Sequence, residues 1–349
     1  MTIQKNILPI VILNWNGSED TIECLISLFD GSDQGFHVHL IDNNSEIEDK
    51  KKLKTFISEK ERLTFYENEE NLGFTKAHNK IFELLIETDH SHIMLLNNDT
   101  IVEQDCIKLI REEIAGNDPD MLSCKMINYW ERHLIDNVGH KMLSSGEIIP
   151  LGHNESSSLY SEKINNIGAC GGAAIYSVKM LKDIGFFDPF FETGYEDAEF
   201  GLRAILSNYR SYLLPEAIVH HKLGRSIKKI FDFKYSLQIQ KSIFYTYLKL
   251  IPKRILIIHL IPFIFRFVAI LMTDILFWRP KYLRIQLSSL NWLISKGFNT
   301  SIMSRREVKL EIRINKWKLL GMQNFFLKRD LTNFKRYILQ RERSYFEKY

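Results

Sequence analysis

Four polar clusters stand at the ends of apolar runs or at the starts of amphipathic ones: Asp42, Asp99, the pair Glu196-Asp197 and the pair His220-His221. Asp99 is the most telling. It closes His92-Ile93-Met94-Leu95-Leu96-Asn97-Asn98-Asp99-Thr100, an apolar run that stops abruptly at two amides and a carboxylate. A run this short, bounded by turn formers, reads as a strand buried on both faces. In an open parallel α/β sheet the ligand crevice lies at the carboxyl end of the strands, so Asp99 would stand where ligands bind. A carboxylate there could hold a hard divalent cation beside a diphosphate. Each cluster also has a structural reading: Asn and Asp close turns, acidic residues suit a helix N-terminus, and a histidine can simply be packed. Their joint occurrence on one face of one sheet is what those readings leave unexplained.

The elements that must position these side chains follow from the periodicity. Ile7 to Leu13 predicts a strand ending in Asn14-Trp15-Asn16-Gly17, and apolar spacing through Ile22, Leu25, Ile26 and Phe29 predicts a helix with Ser18 as N-cap. Val38 to Ile41 is a second strand, stopped by Asp42-Asn43-Asn44-Ser45, and a Lys-rich helix follows over 48–59. Leu63 to Tyr66 makes a third strand, and Asn71-Leu72-Gly73-Phe74 a turn before a helix carrying Lys76, His78 and Asn79. After Thr100 a helix runs to Ile114. The polar, glycine-rich stretch Met126 to Ser158 reads as an insertion over the sheet edge, with short strands near 134–149. Gly168-Ala169-Cys170-Gly171-Gly172 then lets backbone approach a ligand before an apolar strand. A short helix over 178–184 and a helix entered through Glu196-Asp197 follow, then a strand at Tyr212 to Leu214 closed by Pro215. Strands alternating with helices at this interval imply a doubly wound, mostly parallel α/β sheet.

The net charge of +3 conceals a division. Residues 1–221 carry 19 Lys+Arg against 36 Asp+Glu, whereas residues 222–349 carry 27 against 7. Such asymmetry predicts an acidic body, 1–226, joined to a basic helical region, 227–349, that meets an anionic surface. Nucleic acid is set aside as that surface, because neither zinc-finger spacing nor a single-stranded RNA-binding signature accompanies the charge. Cys24, Cys106, Cys124 and Cys170 are scattered, without a C-x-x-C pair, so neither a zinc site nor a disulfide framework is expected and a reducing cytosol fits. The opening residues lack the pattern of a secretory signal, so the chain is expected to stay inside the cell.

Seven motifs in order carry a resemblance. Asn14-Trp15-Asn16-Gly17, Asp42-Asn43-Asn44-Ser45, Asn71-Leu72-Gly73-Phe74 with Asn79, Leu96-Asn97-Asn98-Asp99-Thr100, Gly171-Gly172-Ala173, Tyr195-Glu196-Asp197-Ala198-Glu199-Phe200 with Arg203, and His221-Lys222-Leu223-Gly224-Arg225-Ser226 resemble those of family 2 glycosyltransferases, and within them the rhamnosyltransferase-like branch. The resemblance implies a GT-A fold, a nucleotide-binding half fused to an acceptor-binding half. It implies that Asn14 and Asp42 meet the base and ribose of a sugar nucleotide, with Asn16, Asn44, Gly73, Phe74, Asn79, Asn98, Gly171 and Gly172 completing the donor site. Asp99 matches the last carboxylate of the family's D-x-D motif and would hold Mg²⁺ or Mn²⁺ across the diphosphate. His221 matches a histidine that completes the metal site in some relatives. Of the pair Glu196-Asp197, the aspartate matches the base.

Asn97 stands where many relatives have the first aspartate, so a single carboxylate must anchor the cation with phosphate oxygens, water and His221. Mg²⁺ tolerates this, since it keeps waters and takes one or two carboxylates. The chemistry needs a carboxylate to accept the acceptor hydroxyl's proton as it attacks the anomeric carbon, and one base with one displacement gives inversion. Asp197 is the first choice and Glu196 the second; Arg203 could orient the pair or form an ion pair. The expected enzyme moves rhamnose from dTDP-rhamnose to a lipid-linked surface glycan on the cytoplasmic face of the cell membrane. The competing readings are a UDP-hexose donor and a non-catalytic sugar-nucleotide-binding protein. Residues 255–278 are long and apolar enough to cross a bilayer, but His259, Pro262, Arg266 and Asp274 favour helices lying in the interface. An ordinary packed helical subdomain is the alternative.

Overall fold

The computed structural model describes residues 7–222, 233–307 and 312–340. Met1–Asn6, the Leu223–Ser226 end of the last motif and the boundary expected after Ser226 lie outside them. The chain divides into two compact units, Met1–His140 with Pro150–Leu223 and Lys141–Ile149 with Gly224–Tyr349.

In the first unit β1 (Leu8–Asn14), β2 (Phe36–Asp42), β3 (Leu63–Glu67) and β4 (His92–Leu96) pair in parallel in the order β3-β2-β1-β4. Beyond β4 the sheet is mixed. It continues through β10 (Ala173–Ser177), antiparallel to both neighbours, to β6 (Met121–Asn128), β11 (Ser211–His221) and β5 (Thr100–Val102). β7 (Ile135–Asn137) pairs with β6 off this path. β6 and β11 are parallel, and β5 runs against β11. Alternation along the strands feeds two cores. Ile10, Ile12, Met94 and Leu96 face α1 (Ser18–Phe29), α2 (Ile47–Ile57) and α4 (Cys106–Asn117), while Val11, Ile93 and Leu95 face α3 (Gly73–Leu85), α5 (Val178–Ile184) and α6 (Glu196–Leu206).

Three local expectations change. Gly17, not Ser18, is the N-cap of α1; Ser18 is the first helical residue and its N–H donates to Asp49 Oδ1 at 2.8 Å. The strand expected to close at Pro215 continues to His221, because a register shift between Leu214 and Ile218 takes up a residue that has no N–H to donate. β5 and β6 were not anticipated as strands.

The second unit holds α7 (Phe233–Leu250), α8 (Lys253–Leu276) and α9 (Pro280–Trp292), a π-turn at Leu293–Gly297, and α10 (Phe298–Glu307), α11 (Lys316–Gly321) and α12 (Phe326–Asn333). β8 (His140–Leu143), β9 (Ile148–Pro150) and β12 (Gln323–Asn324) form a small sheet in the order β12-β8-β9. Part of the stretch read as a sheet-edge insertion, 141–149, therefore belongs with the C-terminal helices.

Candidate active site

The turn after β4 is held by Thr100 Oγ1 donating to the Asn97 carbonyl at 2.7 Å and by the Asn97 N–H donating to the Gly172 carbonyl at 2.9 Å. β5 then pairs with the end of β11, which sets His221 opposite Thr100. His221 Nε2 lies 3.1 Å from Asp99 Oδ1, and Nδ1 lies 2.8 Å from Asp136 Oδ2. All three side chains are buried. Burial opposes charge on the ring, but Asp99 and Asp136 outweigh it and raise the His221 pKa to about 10. Against its own burial, hydrogen bonds from His153 and His221 draw Asp136 down to about 2. Asp99 is likewise held below the ordinary carboxylate range by His221, although burial pushes the other way.

This geometry suits a divalent cation. A cation would have to displace the proton that Asp99 and Asp136 hold on the ring; with Nδ1–H committed to Asp136, Nε2 is the atom that would lose it and that converges with Asp99 Oδ1, the carboxylate–histidine arrangement common around metals. Among the described residues no three His, Cys, Asp or Glu side chains form a closed cage. Phosphate oxygens and water would therefore have to complete the coordination of Mg²⁺ or Mn²⁺. Asp136 lies in the polar stretch after β6 and gave no motif signal. Asp136→Asn is expected to weaken Mn²⁺ binding roughly 10–100-fold, as measured by the paramagnetic resonance of free Mn²⁺; unchanged affinity would make Asp136 a packing residue.

The acidic pair sits across a glycine dipeptide from that turn. Tyr195 adopts a left-handed φ of 78° immediately before α6. Asp197 Oδ2 accepts the Gly171 N–H at 2.8 Å, Oδ1 accepts the Ala198 N–H at 2.8 Å, and His140 Nε2 stands 3.6 Å from Oδ2. Gly171 thus contacts Asp197 while Gly172 contacts Asn97. The loop reaches this position because Gly168 crosses Gly201 of α6 so closely that a Cβ on Gly168 would stand 2.5 Å from the Gly201 Cα.

Glu196 is buried, and its Oε2 has no hydrogen-bond partner among the described residues. Burial, reinforced by the charge of Asp197, pushes its pKa to about 8. Glu196 therefore keeps its proton near neutrality. The folded chain holds a proton here that the unfolded chain releases near 4.5, so this group's contribution to stability is lost as pH rises towards 8. Glu196→Gln is expected to raise Tm by about 2–4 °C at pH 8 and by less at pH 5. Equal shifts at the two pH values would contradict a protonated Glu196.

On the nucleotide side, Asn14 and Asp42 stand together at the ends of β1 and β2. Both are fully buried, and the in-register ends of β1 and β2 turn them towards each other. Asn14 Nδ2 has Asp42 Oδ1 at 3.0 Å, Ser45 Oγ at 3.1 Å and Asp49 Oδ2 at 3.0 Å, while its Oδ1 accepts from Thr21. The Asn79 amide clamps the Phe187 backbone at both N–H and carbonyl. Asn16 and Asn44 take left-handed turns, with φ of 53° and 61°, and Asn44 is exposed. Asn98 is half-buried and donates to Thr21 Oγ1 at 2.9 Å. Gly73 needs its φ of +72° at the start of α3, next to the half-buried ring of Phe74. Asn43, beside Asn44 in the same turn, joins two loops by accepting from Asn68 and Leu72 and donating to Asn71. Arg203 does not reach the acidic pair; it binds Glu199 and the carbonyls of Ile184 and Phe186.

Known proteins share this arrangement of elements. No curated protein matches the chain in sequence. Solved structures with a similar fold include a mannosyltransferase from Pyrobaculum calidifontis in complex with GDP-Man and Mn²⁺, at 12% identity and a TM-score of 0.52 over 86% of this chain and 84% of that one. Another is S. aureus TarS 1-349 in complex with UDP-GlcNAc, at 16% identity and 0.54 over 88% and 97%. A third is GalNAc-T7 with UDP, GalNAc and Mn²⁺, at 12% and 0.56 over 86% and 58%. The family model "Glycosyl transferase family 2" matches residues 10–185, about half of the chain and the segment that supplies Asn14, Asp42, Asp99 and the glycine loop. The chain belongs to glycosyl transferase family 2 and is a glycosyltransferase of the GT-A fold.

Proposed function

We propose that the enzyme moves a sugar from a nucleoside-diphospho-sugar to a hydroxyl of a growing, lipid-linked surface glycan at the cytoplasmic face of the cell membrane, with inversion at the anomeric carbon. One observation carries the reading: Asp197, held by the Gly171 N–H and flanked by the buried Glu196, stands one glycine dipeptide from the Asp99–His221 pair. Asp197 takes the proton of the acceptor hydroxyl as oxygen attacks the anomeric carbon from the face opposite the diphosphate. Glu196, neutral, does not compete for that proton. The turns at Asn16, Asn44, Asn98, Gly73 and Phe74 border the nucleotide, and the backbone at Gly171 and Gly172 lets the donor approach closely. Mg²⁺ or Mn²⁺ held by Asp99 and His221 would supply the positive charge that stabilises the departing diphosphate.

The donor we propose is dTDP-rhamnose, supported by the resemblance of the seven motifs. UDP-GlcNAc and GDP-Man, present in similar folds, are the alternatives to beat. A ligand bound only by the folded chain, at 100 times its Kd, stabilises it by about 2.7 kcal/mol. In a thermal-shift panel with Mn²⁺ or Mg²⁺, dTDP-rhamnose should therefore raise Tm by several degrees and more than UDP-hexoses or GDP-mannose. A larger shift with UDP-hexose would reassign the donor, and no shift with any sugar nucleotide would contradict the reading.

A further inference from the structure

In the second unit, α8 is built inside out. Every exposed position from 257 to 278 is apolar, including Ile257, Ile261, Ile264, Phe265, Met272 and Leu276. Beyond its first turn, the titratable side chains of the same helix point inward and are paired within the unit. His259 faces Gln323 at 3.0 Å, Arg266 binds Glu147 and Asp330 (the latter at 2.8 Å), and Asp274 accepts from Arg279 at 2.9 Å. Water solvates none of the exposed stripe favourably, and a contiguous apolar patch of this length on a folded surface marks an interaction site.

We propose that this stripe docks the enzyme onto an anionic lipid surface with α8 lying in the membrane plane, half immersed and not crossing. Charge complementarity selects lipid: residues 222–349 carry 27 Lys+Arg against 7 Asp+Glu, and exposed Lys253, Arg254 and Lys281 flank the stripe where headgroup phosphates would lie. Trp278, 88% exposed just past the helix, is the residue type that settles at the headgroup boundary. α8 has the length and composition to span a bilayer, but its inward side decides against a span. Arg266 stands near mid-helix, and its partners Glu147 and Asp330 would have to enter the hydrocarbon centre with it, where charge is most costly. Laid flat, the same helix keeps those ion pairs above the lipid and immerses only the stripe. The inference stands apart from the sugar-transfer reading, because lipid docking can fail while sugar-nucleotide binding persists.

The test is flotation of the full chain with vesicles of phosphatidylglycerol and phosphatidylcholine, or of phosphatidylcholine alone, paired with a depth measurement. Binding to the anionic vesicles is expected, with partial release at high salt because surface attraction is screened over about 10 Å at 0.1 M. Ile261→Glu with Phe265→Glu should lower partitioning at least about tenfold while the sugar-nucleotide thermal shift, measured without lipid, persists; that shift reports that the variant is folded. A dye on Ile257→Cys, Phe265→Cys or Leu276→Cys should be quenched by lipid-borne quenchers at one shallow depth for all three positions. A depth gradient along the helix would mean a span and overturn the proposal. So would failure to bind anionic vesicles at low salt, or binding that ignores the double substitution. A detergent-free dimer that the double substitution dissociates would mean that a second copy covers the stripe, and would overturn it equally.

Discussion

Asp197→Asn is expected to cut turnover by roughly 10²–10⁴ and to leave donor affinity within about twofold of the parent. The amide keeps the shape and can still accept the Gly171 N–H through its oxygen, so the bridge from α6 to the glycine loop survives. What it loses is a lone pair basic enough to take the acceptor's proton. Stopped-flow or single-turnover transfer separates this from a binding defect: the chemical step should slow while the donor-induced thermal shift is retained. Near-normal turnover would pass the role to Glu196, which its raised pKa makes the poorer base at neutral pH only as long as it stays buried. Loss of donor binding along with turnover would mean that Asp197 shapes the pocket and does not act on the acceptor.

Asp99→Ala should abolish metal-dependent donor binding. With Mn²⁺ present, donor affinity is expected to fall at least about 100-fold, to the level the parent shows without metal, since a metal's charge on a phosphoryl oxygen is worth several kcal/mol. His221 then keeps Asp136 as its remaining carboxylate partner, so the ring stays hydrogen-bonded and the sheet edge holds. Asp99→Asn tests the same point with the turn's shape preserved. Calorimetric titration of donor with and without Mn²⁺ reads both variants. Retention of the parent's affinity and metal dependence would remove Asp99 from the cation site.

Much of this site is legible along the chain because the residues at strand ends are also the residues that stop strands. Asn14, Asp42 and Asp99 each interrupt an apolar run, and Gly171-Gly172 announces a close backbone approach. Pairings across the sheet are not legible in this way. Periodicity places Asn14 and Asp42 at two strand ends, but only the parallel register of β1 and β2 makes them neighbours and buries both. Asp136 is 85 residues from the His221 that it orients, and nothing local connects them. β5 has three residues, too few for any period, and β6 lies buried on both faces with Ser123, Cys124 and Lys125 in its middle, so it lacks both alternation and a clean apolar run. α8 was legible by composition but not by face. Its polar residues His259, Arg266 and Asp274 recur at intervals of seven and eight, a helical stripe that the surrounding isoleucines and phenylalanines conceal.

The most direct measurement is release of free nucleoside diphosphate when the purified enzyme meets a sugar nucleotide, Mn²⁺ or Mg²⁺, and a membrane lipid extract that contains glycan acceptors. Sugar transfer through Asp197 requires release from one donor, dependent on the metal and on the extract, at a rate that Asp197→Asn lowers roughly 10²–10⁴-fold. No release from any donor in the panel, or release at the parent's rate from Asp197→Asn, would contradict it.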